Sequence, residues 1–276
     1  MYKLSSIKCV VKGGGDLGSG VAFSLFKAGF TVIVLDSANP TAVRRTVAFS
    51  TAISEGFIDI EGVVGKKAVY NEIGPAIGFE PFDYIPVIAD EEWKTLERIK
   101  PHITIDCIVN KKNYGTRMAE APFVVALGPG FDAGTDCHVV IETNRGHNLG
   151  RIIKKGPAAE NTGRPGSVKG YTFERVIRTE HEGVFKTERR IGDFVKKDDI
   201  VCYVNNYIFR AKFDGFIRGL LPNGIRVKYY TKLGDIDPRN DRSYCFSISD
   251  KSRSIGRAVL EAVMEKLKET PTVFGL

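Results

Sequence analysis

Glu142, Asn144, Arg145 and His147 fall within six positions of one another in the stretch ETNRGHNLG. A carboxylate there can act as general base or as hydrogen-bond acceptor. The guanidinium can fork onto a phosphate or carboxylate. The imidazole can serve as acid, base or ligand. Fourteen positions before Glu142 begins Gly128-Pro129-Gly130, which exposes backbone N–H groups of the kind that cradle phosphate. Between these two stretches lies Cys137, flanked by Asp132, Asp136 and His138. Cys137 is the thiol to test for chemistry, against the alternative of a small buried hydrophobe. Cys137 and His138 are adjacent, so a strand would send them to opposite faces, which argues against a metal site.

These groups need elements to hold them. Phe123–Leu127 and His138–Glu142 read as two short buried strands, each ending in one of the loaded loops. Ligands of open α/β sheets sit beyond the carboxyl ends of the strands. The start of the chain supplies a matching feature. Ile7–Lys12 is a β-rich run that breaks into Gly13-Gly14-Gly15-Asp16-Leu17-Gly18. Val21–Ala28 has helical spacing, Thr31–Leu35 is a second strand, and Asp36 ends it. Gly13, Gly15 and Gly18 fit G-x-G-x-x-G, with Asp36 placed 18 residues on for a ribose hydroxyl. The alternative is a βαβ unit whose glycines only make a tight turn.

A helix is expected over Ala42–Glu55, with Arg44 and Arg45 either meeting an anion near Asp36 or lining a solvated face. Phe57–Ile60 and Gly62–Tyr70 suggest a small inserted hairpin, and residues 71–84 an irregular stretch. Ile85–Ala89, a helix from Asp90 to Lys100, and a strand over Ile103–Val109 follow, the last leading into the polar loop Asn110–Asn113. Arg151–Lys155 adds a strand. The Gly/Pro/Asn-rich stretch Gly156–Tyr171 marks a domain boundary.

The second half is β-rich. Runs over Gly183–Thr187, Ile200–Val204, Ile208–Phe213, Phe216–Leu220 and Tyr244–Ser249 are short strands. Ile191–Ile200 and Ile225–Asp235 form a weak internal repeat, each combining a Gly-Asp turn with a Val-Lys pair. The pattern resembles the barrel-sandwich hybrid of biotinyl and lipoyl carriers. The tip Asn205-Asn206-Tyr207 has no lysine to modify, so a swinging-arm carrier is rejected. A final helix, capped by Asp250 or Ser252, puts Ile255, Val259, Ala262, Val263 and Leu267 on one face. The expected architecture is a Rossmann-like, mostly parallel α/β domain (1–165), a smaller barrel-sandwich-hybrid-like β domain (166–250), and a C-terminal helix and tail (251–276).

Composition narrows the classes. No apolar run is long enough to span a bilayer, and the first residues lack a signal-peptide core, so a cytoplasmic protein is expected. Five scattered cysteines without paired spacing point to reduced thiols. The net charge of +7 is spread among acids; it suits an anionic ligand and does not call for nucleic acid. No Ser-His-Asp elbow or Walker lysine is present.

The blocks GGGDLGSGVAFSLFKAGF, NPTAVRRTVAF, ALGPGFDAGTDCHVVIETNRGHNLGRII, AENTGRPG, GYTFERVIR and YCFSISDKSRSIGRAVLEAV resemble the selenium-dependent molybdenum hydroxylase system proteins of the YqeB type. The resemblance covers essentially the whole chain. It implies an anaerobic bacterial protein that helps mature or operate a molybdenum hydroxylase, with that enzyme or its maturation machinery as partner. It also implies a Rossmann-like half similar in idea to the xanthine dehydrogenase accessory factor, which handles molybdenum cofactor. It assigns no catalytic residue. Three functions stay open: a maturation factor binding molybdenum cofactor or a nucleotide, an NAD(P)-dependent oxidoreductase, and a non-catalytic scaffold for the hydroxylase. The residues expected to hold a phosphate-bearing ligand are Gly13, Gly15, Gly18, Asp36, Gly128, Gly130, Asn144 and Arg145. Cys137, His147 and Glu142 are the candidates for chemistry, with no metal expected. Whether the chain is an enzyme, and whether it self-associates, are left open.

Overall fold

The computed structural model describes residues 3–74, 77 and 82–274. The chain divides into two compact units, the first formed by Met1–Pro40, Ala48–Asn161 and Ile248–Leu276, the second by Thr41–Val47 and Thr162–Ser247.

The first unit holds strands β1 (Lys8–Lys12), β2 (Thr31–Asp36), β3 (Phe57–Ile60), β4 (Val63–Ala68), β5 (Ile85–Ala89), β6 (Ile103–Asp106), β7 (Phe123–Leu127), β8 (Asp132–Ala133), β9 (Val139–Ile141), β10 (Ile152–Ile153) and β11 (Gly156–Pro157). Its helices are α1 (Asp16–Lys27), α2 (Ala52–Glu55), α3 (Tyr70–Ile73), α4 (Lys94–Ile99) and α5 (Asp250–Glu269). Nine strands form one sheet in the order β10-β9-β7-β6-β1-β2-β5-β4-β3. The seven inner strands run parallel, and β3 and β10 close the edges antiparallel. Runs such as Cys9-Val10-Val11 and Phe123–Leu127 are apolar and buried on both faces, as inner strands of a parallel sheet are; Val124 and Ala126 pack on Phe131, Ala133 and Ala158. Strand order reverses between β1 and β6, so the crevice that such sheets use for ligands lies at the ends of these two strands.

Helix α5 belongs to this unit. Its apolar face, Ile255, Val259, Ala262, Val263 and Leu267, is buried. It crosses α1 so closely that a side chain at Gly20 would come within 2.5 Å of the Ser252 carbonyl. The amino-terminal ends of α1 and α5 therefore meet, and the Ser252 hydroxyl donates to Asp16 Oδ1 at 2.7 Å. The cap of α5 is Ser249, which accepts from Ser252 N, rather than Asp250 or Ser252.

Several local expectations give way to tertiary structure. No helix runs over Ala42–Glu55. Two 3-10 turns, Arg45–Val47 and Phe49–Thr51, precede the single turn of α2. Residues 41–47 join the second unit instead. There Val43 accepts from Leu220 N at 2.7 Å, Arg44 donates to the carbonyls of Tyr244 and Ser247, and Arg45 donates to that of Leu220. The β3–β4 hairpin extends the main sheet, with β4 parallel to β5. The fourth core strand stops at Asp106 because its carboxylate turns back to accept from Ile108 N, and Val109 then takes a positive φ of 54°. Trp93, also at positive φ, delays the next helix until Lys94. Of the irregular stretch expected over 71–84, residues 75, 76 and 78–81 lie outside the described residues. Among described residues, no helix is long and apolar enough to cross a membrane.

The second unit contains β12 (Val176–Arg178), β13 (Gly183–Lys186), β14 (Phe194–Val195), β15 (Ile200–Val204), β16 (Tyr207–Arg210), β17 (Gly215–Leu220), β18 (Arg226–Val227) and β19 (Lys232–Asp237). They form two four-stranded antiparallel sheets, β12-β19-β17-β14 and β16-β15-β13-β18. The triplet β13-β14-β15 recurs 32 positions later as β17-β18-β19. The copies exchange their short strands: Phe194 of β14 pairs with Phe216 of β17, and Arg226 of β18 pairs with Val184 of β13. The repeat is therefore a pseudo-twofold. Gly192 matches Gly224 and Val195-Lys196 matches Val227-Lys228, whereas Gly234-Asp235 lies inside β19 and makes no turn. A shared core that includes Phe185, Val201, Ile217 and Leu233 fills the unit. Tyr244–Ser249 is not a strand; Arg242–Cys245 forms a 3-10 turn capped by the Asp241 carboxylate.

Candidate functional site

Strand β1 ends at Lys12, and the chain turns at Gly13, whose φ of +94° excludes most side chains. The Gly14 amide donates to Asp36 Oδ2 at 2.6 Å, which ties the turn to the end of β2. Asp36 Oδ1 accepts from Ser37 N at 2.7 Å. Burial raises the Asp36 carboxyl above its ordinary value, against the pull of these two amides. Each oxygen keeps a second lone pair, so a ribose hydroxyl can still donate to it.

The glycines of the turn are small for different reasons. A side chain at Gly14 would strike Val34 and Ser50, and one at Gly18 would strike the Gly13 carbonyl. Gly15 has an ordinary φ of −70° and caps α1, and a side chain there would meet nothing within 4 Å. Among the described residues, no protein contact accounts for a glycine at position 15. In a dinucleotide fingerprint, the second glycine lets the backbone approach a pyrophosphate.

The carboxyl-end loops form a continuous row. Cys107 and Ile108 lie against Gly13; Lys111 and Lys112 lie against Gly130; Thr143 lies against Gly128. Glu142 is an anchor of this row. Its Oε1 accepts from Asn144 N at 2.7 Å and its Oε2 from Ala159 N at 2.8 Å. Arg145 forks onto Asp250 at 2.7 and 2.9 Å, in the first turn of α5. Burial, and then the charge of Arg145, lower the Lys251 amine, while Asp16, Glu142 and Asp250 pull it upward. The Gly13–Gly18 turn, the Glu142–Asn148 loop and the start of α5 thus share one rim. Asn144 and His147 are exposed on it.

Cys137 is elsewhere in character. It is fully buried in a cluster with Val124, Phe131 and Val140, and its thiol donates to the Val139 carbonyl at 3.3 Å. Burial pushes this thiol up to about 12, so it is not a thiolate near neutrality. His138 Nδ1 accepts from Val124 N, a role in holding β7.

A second group, not anticipated from sequence, sits at the same strand ends. Lys12 is fully buried. Its ammonium donates to Thr116 Oγ1 at 2.5 Å and to Glu120 at 3.1 and 3.3 Å. Thr116 Oγ1 donates in turn to Asp106 Oδ2 at 2.6 Å, at the end of β6. The indole of Trp93 lies 5.1 Å from the Lys12 ammonium. Burial raises the Glu120 carboxyl, outweighing the Lys12 charge that lowers it. The signals were a lysine closing an apolar strand before the glycines and an aspartate closing Ile-Thr-Ile. Glu120 opens on a cleft of about 720 Å³ between α4 and the segment leading to β7.

No family model matches the chain, and no solved structure matches it. The chain is 45% identical over 255 residues, 92% of its length, to "Uncharacterized protein YqeB" of Escherichia coli (strain K12). It spans about half of that relative, 47% of its length. This similarity supports a YqeB-type relationship.

Proposed function

We propose that the first unit binds a phosphate-bearing cofactor or nucleotide at the crevice between β1 and β6. In this reading the phosphate rests on the Gly13–Gly18 turn and the start of α1, and Asp36 takes a hydroxyl of the attached sugar. Arg145, released from Asp250, closes on the phosphate from the side. The protein acts in the cytoplasm as an accessory factor for a molybdenum hydroxylase, whose selenium-dependent type follows from the YqeB-type resemblance. The single observation that carries the binding site is Gly15, a glycine that no contact among the described residues explains at the point where a phosphate would approach. We also read the second unit as a barrel-sandwich hybrid, which the pseudo-twofold exchange of β14 and β18 supports. With Asn206 at the tip of its β15–β16 hairpin, it serves in docking rather than as a carrier arm.

A thermal-shift screen with NAD, NADP, CTP, GTP and isolated molybdenum cofactor tests this reading. A ligand at a hundredfold over its Kd stabilises by about 2.7 kcal/mol, a rise in Tm of several degrees. The accessory role predicts a shift from molybdenum cofactor or a cytidine or guanosine nucleotide. A shift confined to NAD would favour the oxidoreductase alternative, for which Asp36 is the supporting residue. No shift from any member would reject the site.

A further inference from the structure

Asp36 closes β2, and a run of hydrogen-bond donors follows it directly. The Ser37 amide donates to Asp36 Oδ1 at 2.7 Å. The Ser37 hydroxyl and the Ala38 amide converge on one oxygen, Glu91 Oε1, at 2.9 and 3.1 Å. The Asn39 amide donates back to Ser37 Oγ at 3.1 Å. Successive donors that converge on one point make a concavity suited to an anion. Here the chain fills that concavity with a carboxylate of its own. Glu91 reaches it from the segment after β5, the strand paired with β2, and the Asp90 amide ties that segment to the Asp36 carbonyl at 2.9 Å.

Cations in the neighbouring sequence are bonded to other groups. Lys94 pairs with Glu92. Arg44 and Arg45, the two guanidiniums considered for an anion near Asp36, donate to carbonyls of the second unit. Asp90 adds a further carboxylate, which accepts from the Lys94 and Thr95 amides at 3.2 and 2.6 Å. Glu91 itself is exposed, so packing does not dictate an acid at this position.

A ribose hydroxyl held by Asp36 brings the sugar 2′-oxygen to the end of β2. A phosphate on that oxygen would extend over Ser37 and Ala38 and meet the Glu91 carboxylate where its own donors should be. We infer that Glu91 is a specificity-determining residue of this site: it stands in the place of a 2′-phosphate, so the site admits a nucleotide with a free ribose diol and refuses one phosphorylated at the 2′-oxygen. The inference rests on the nucleotide reading of the glycine turn and adds what that site discriminates. The parallel strands β9-β7-β6-β1-β2-β5 stand in the order of dinucleotide-binding sheets, so NAD and NADP, which differ only by that phosphate, are the probes.

The test is calorimetric titration of the full chain and of Glu91→Ala with each of the two. NAD should bind the unaltered protein at least about tenfold tighter than NADP, because the donors a 2′-phosphate needs are taken. Glu91→Ala frees the Ser37 hydroxyl and the Ala38 amide. NADP should then tighten about tenfold or more, while NAD changes by less than about threefold. The comparison on the unaltered protein stands whether or not the variant folds, and a preserved NAD affinity shows that it does. Equal affinity for the two dinucleotides in the unaltered protein, or a variant that moves both alike, would overturn the inference. If neither dinucleotide binds while another nucleotide raises the Tm, the inference falls and the phosphate site stands. If no nucleotide binds at all, both fall together.

Discussion

Two ion pairs flank the ends of the switch-point strands, and they are built on opposite terms. Arg145–Asp250 stands in solvent, with its side chains 44% and 68% exposed, and joins the loop after β9 to α5, which already meet where Gly150 lies against Ser254. Lys12–Glu120 is walled in, with the ammonium fully buried and the carboxylate 12% exposed. An exposed pair contributes only about 0–1 kcal/mol and can be traded for a ligand at little cost. A buried pair is weak evidence for stability in itself, yet breaking it strands a charge in a poor solvent. The first pair is therefore suited to open for an anion, and the second to hold a carboxylate in one place.

The largest effect should come from breaking the buried pair on one side. Glu120→Leu leaves the Lys12 ammonium uncompensated and should cost about 3–5 kcal/mol in urea-denaturation experiments. Adding Lys12→Met to that variant should recover most of the loss, because a methionine fills the space without a charge to desolvate. If the double variant is no better than the single, packing rather than charge governs this position.

The pH dependence sharpens the contrast next. The Glu120 carboxyl is raised in the folded protein, so the folded state holds the proton more tightly. Stability from this group is fully present below the unfolded value near 4.5 and is lost as pH rises through the folded value. On acidification from neutrality, the wild type should gain stability relative to Glu120→Gln over that window. A difference that is flat with pH, or that runs the other way, would show that Lys12 dominates burial.

A smaller effect is expected at the rim. Arg145→Ala should change unfolding free energy by less than about 1 kcal/mol, while diminishing the Tm rise produced by whichever phosphate ligand the screen identifies. A stability loss as large as that of Glu120→Leu would make the two pairs alike and remove the distinction.

Legibility in the sequence follows the range of the contacts. The strand–turn–helix–strand run from Lys8 to Asp36 was readable because its signals are local: glycines at fixed spacing, an apolar periodicity, and an acid closing the strand. The two rim loops were readable because each follows an apolar run. The buried group was not, because Thr116 and Glu120 lie 104 and 108 positions from Lys12 and nothing local marks them as partners. Arg44 and Arg45 misled for the same reason. Their carbonyl partners in the second unit stand about 175 to 203 positions away, and those long-range bonds override a helical pattern over Ala42–Glu55. Cys137 looked reactive beside two aspartates, but burial decides the state of a thiol, and burial is not written in its neighbours.

The phosphate site rests most directly on Gly15, and Gly15→Val isolates it. The new side chain has open space and a permitted backbone, so the variant should keep the wild-type Tm to within the roughly 1 kcal/mol cost of changing a helix cap. Calorimetric titration with the ligand that gives the largest thermal shift is the decisive measurement. Wild-type protein should bind it saturably, and Gly15→Val, still folded, should lose at least about a hundredfold in affinity as the backbone N–H groups are screened from the phosphate. Equal affinity in the two proteins would contradict the placement of the ligand on the glycine turn.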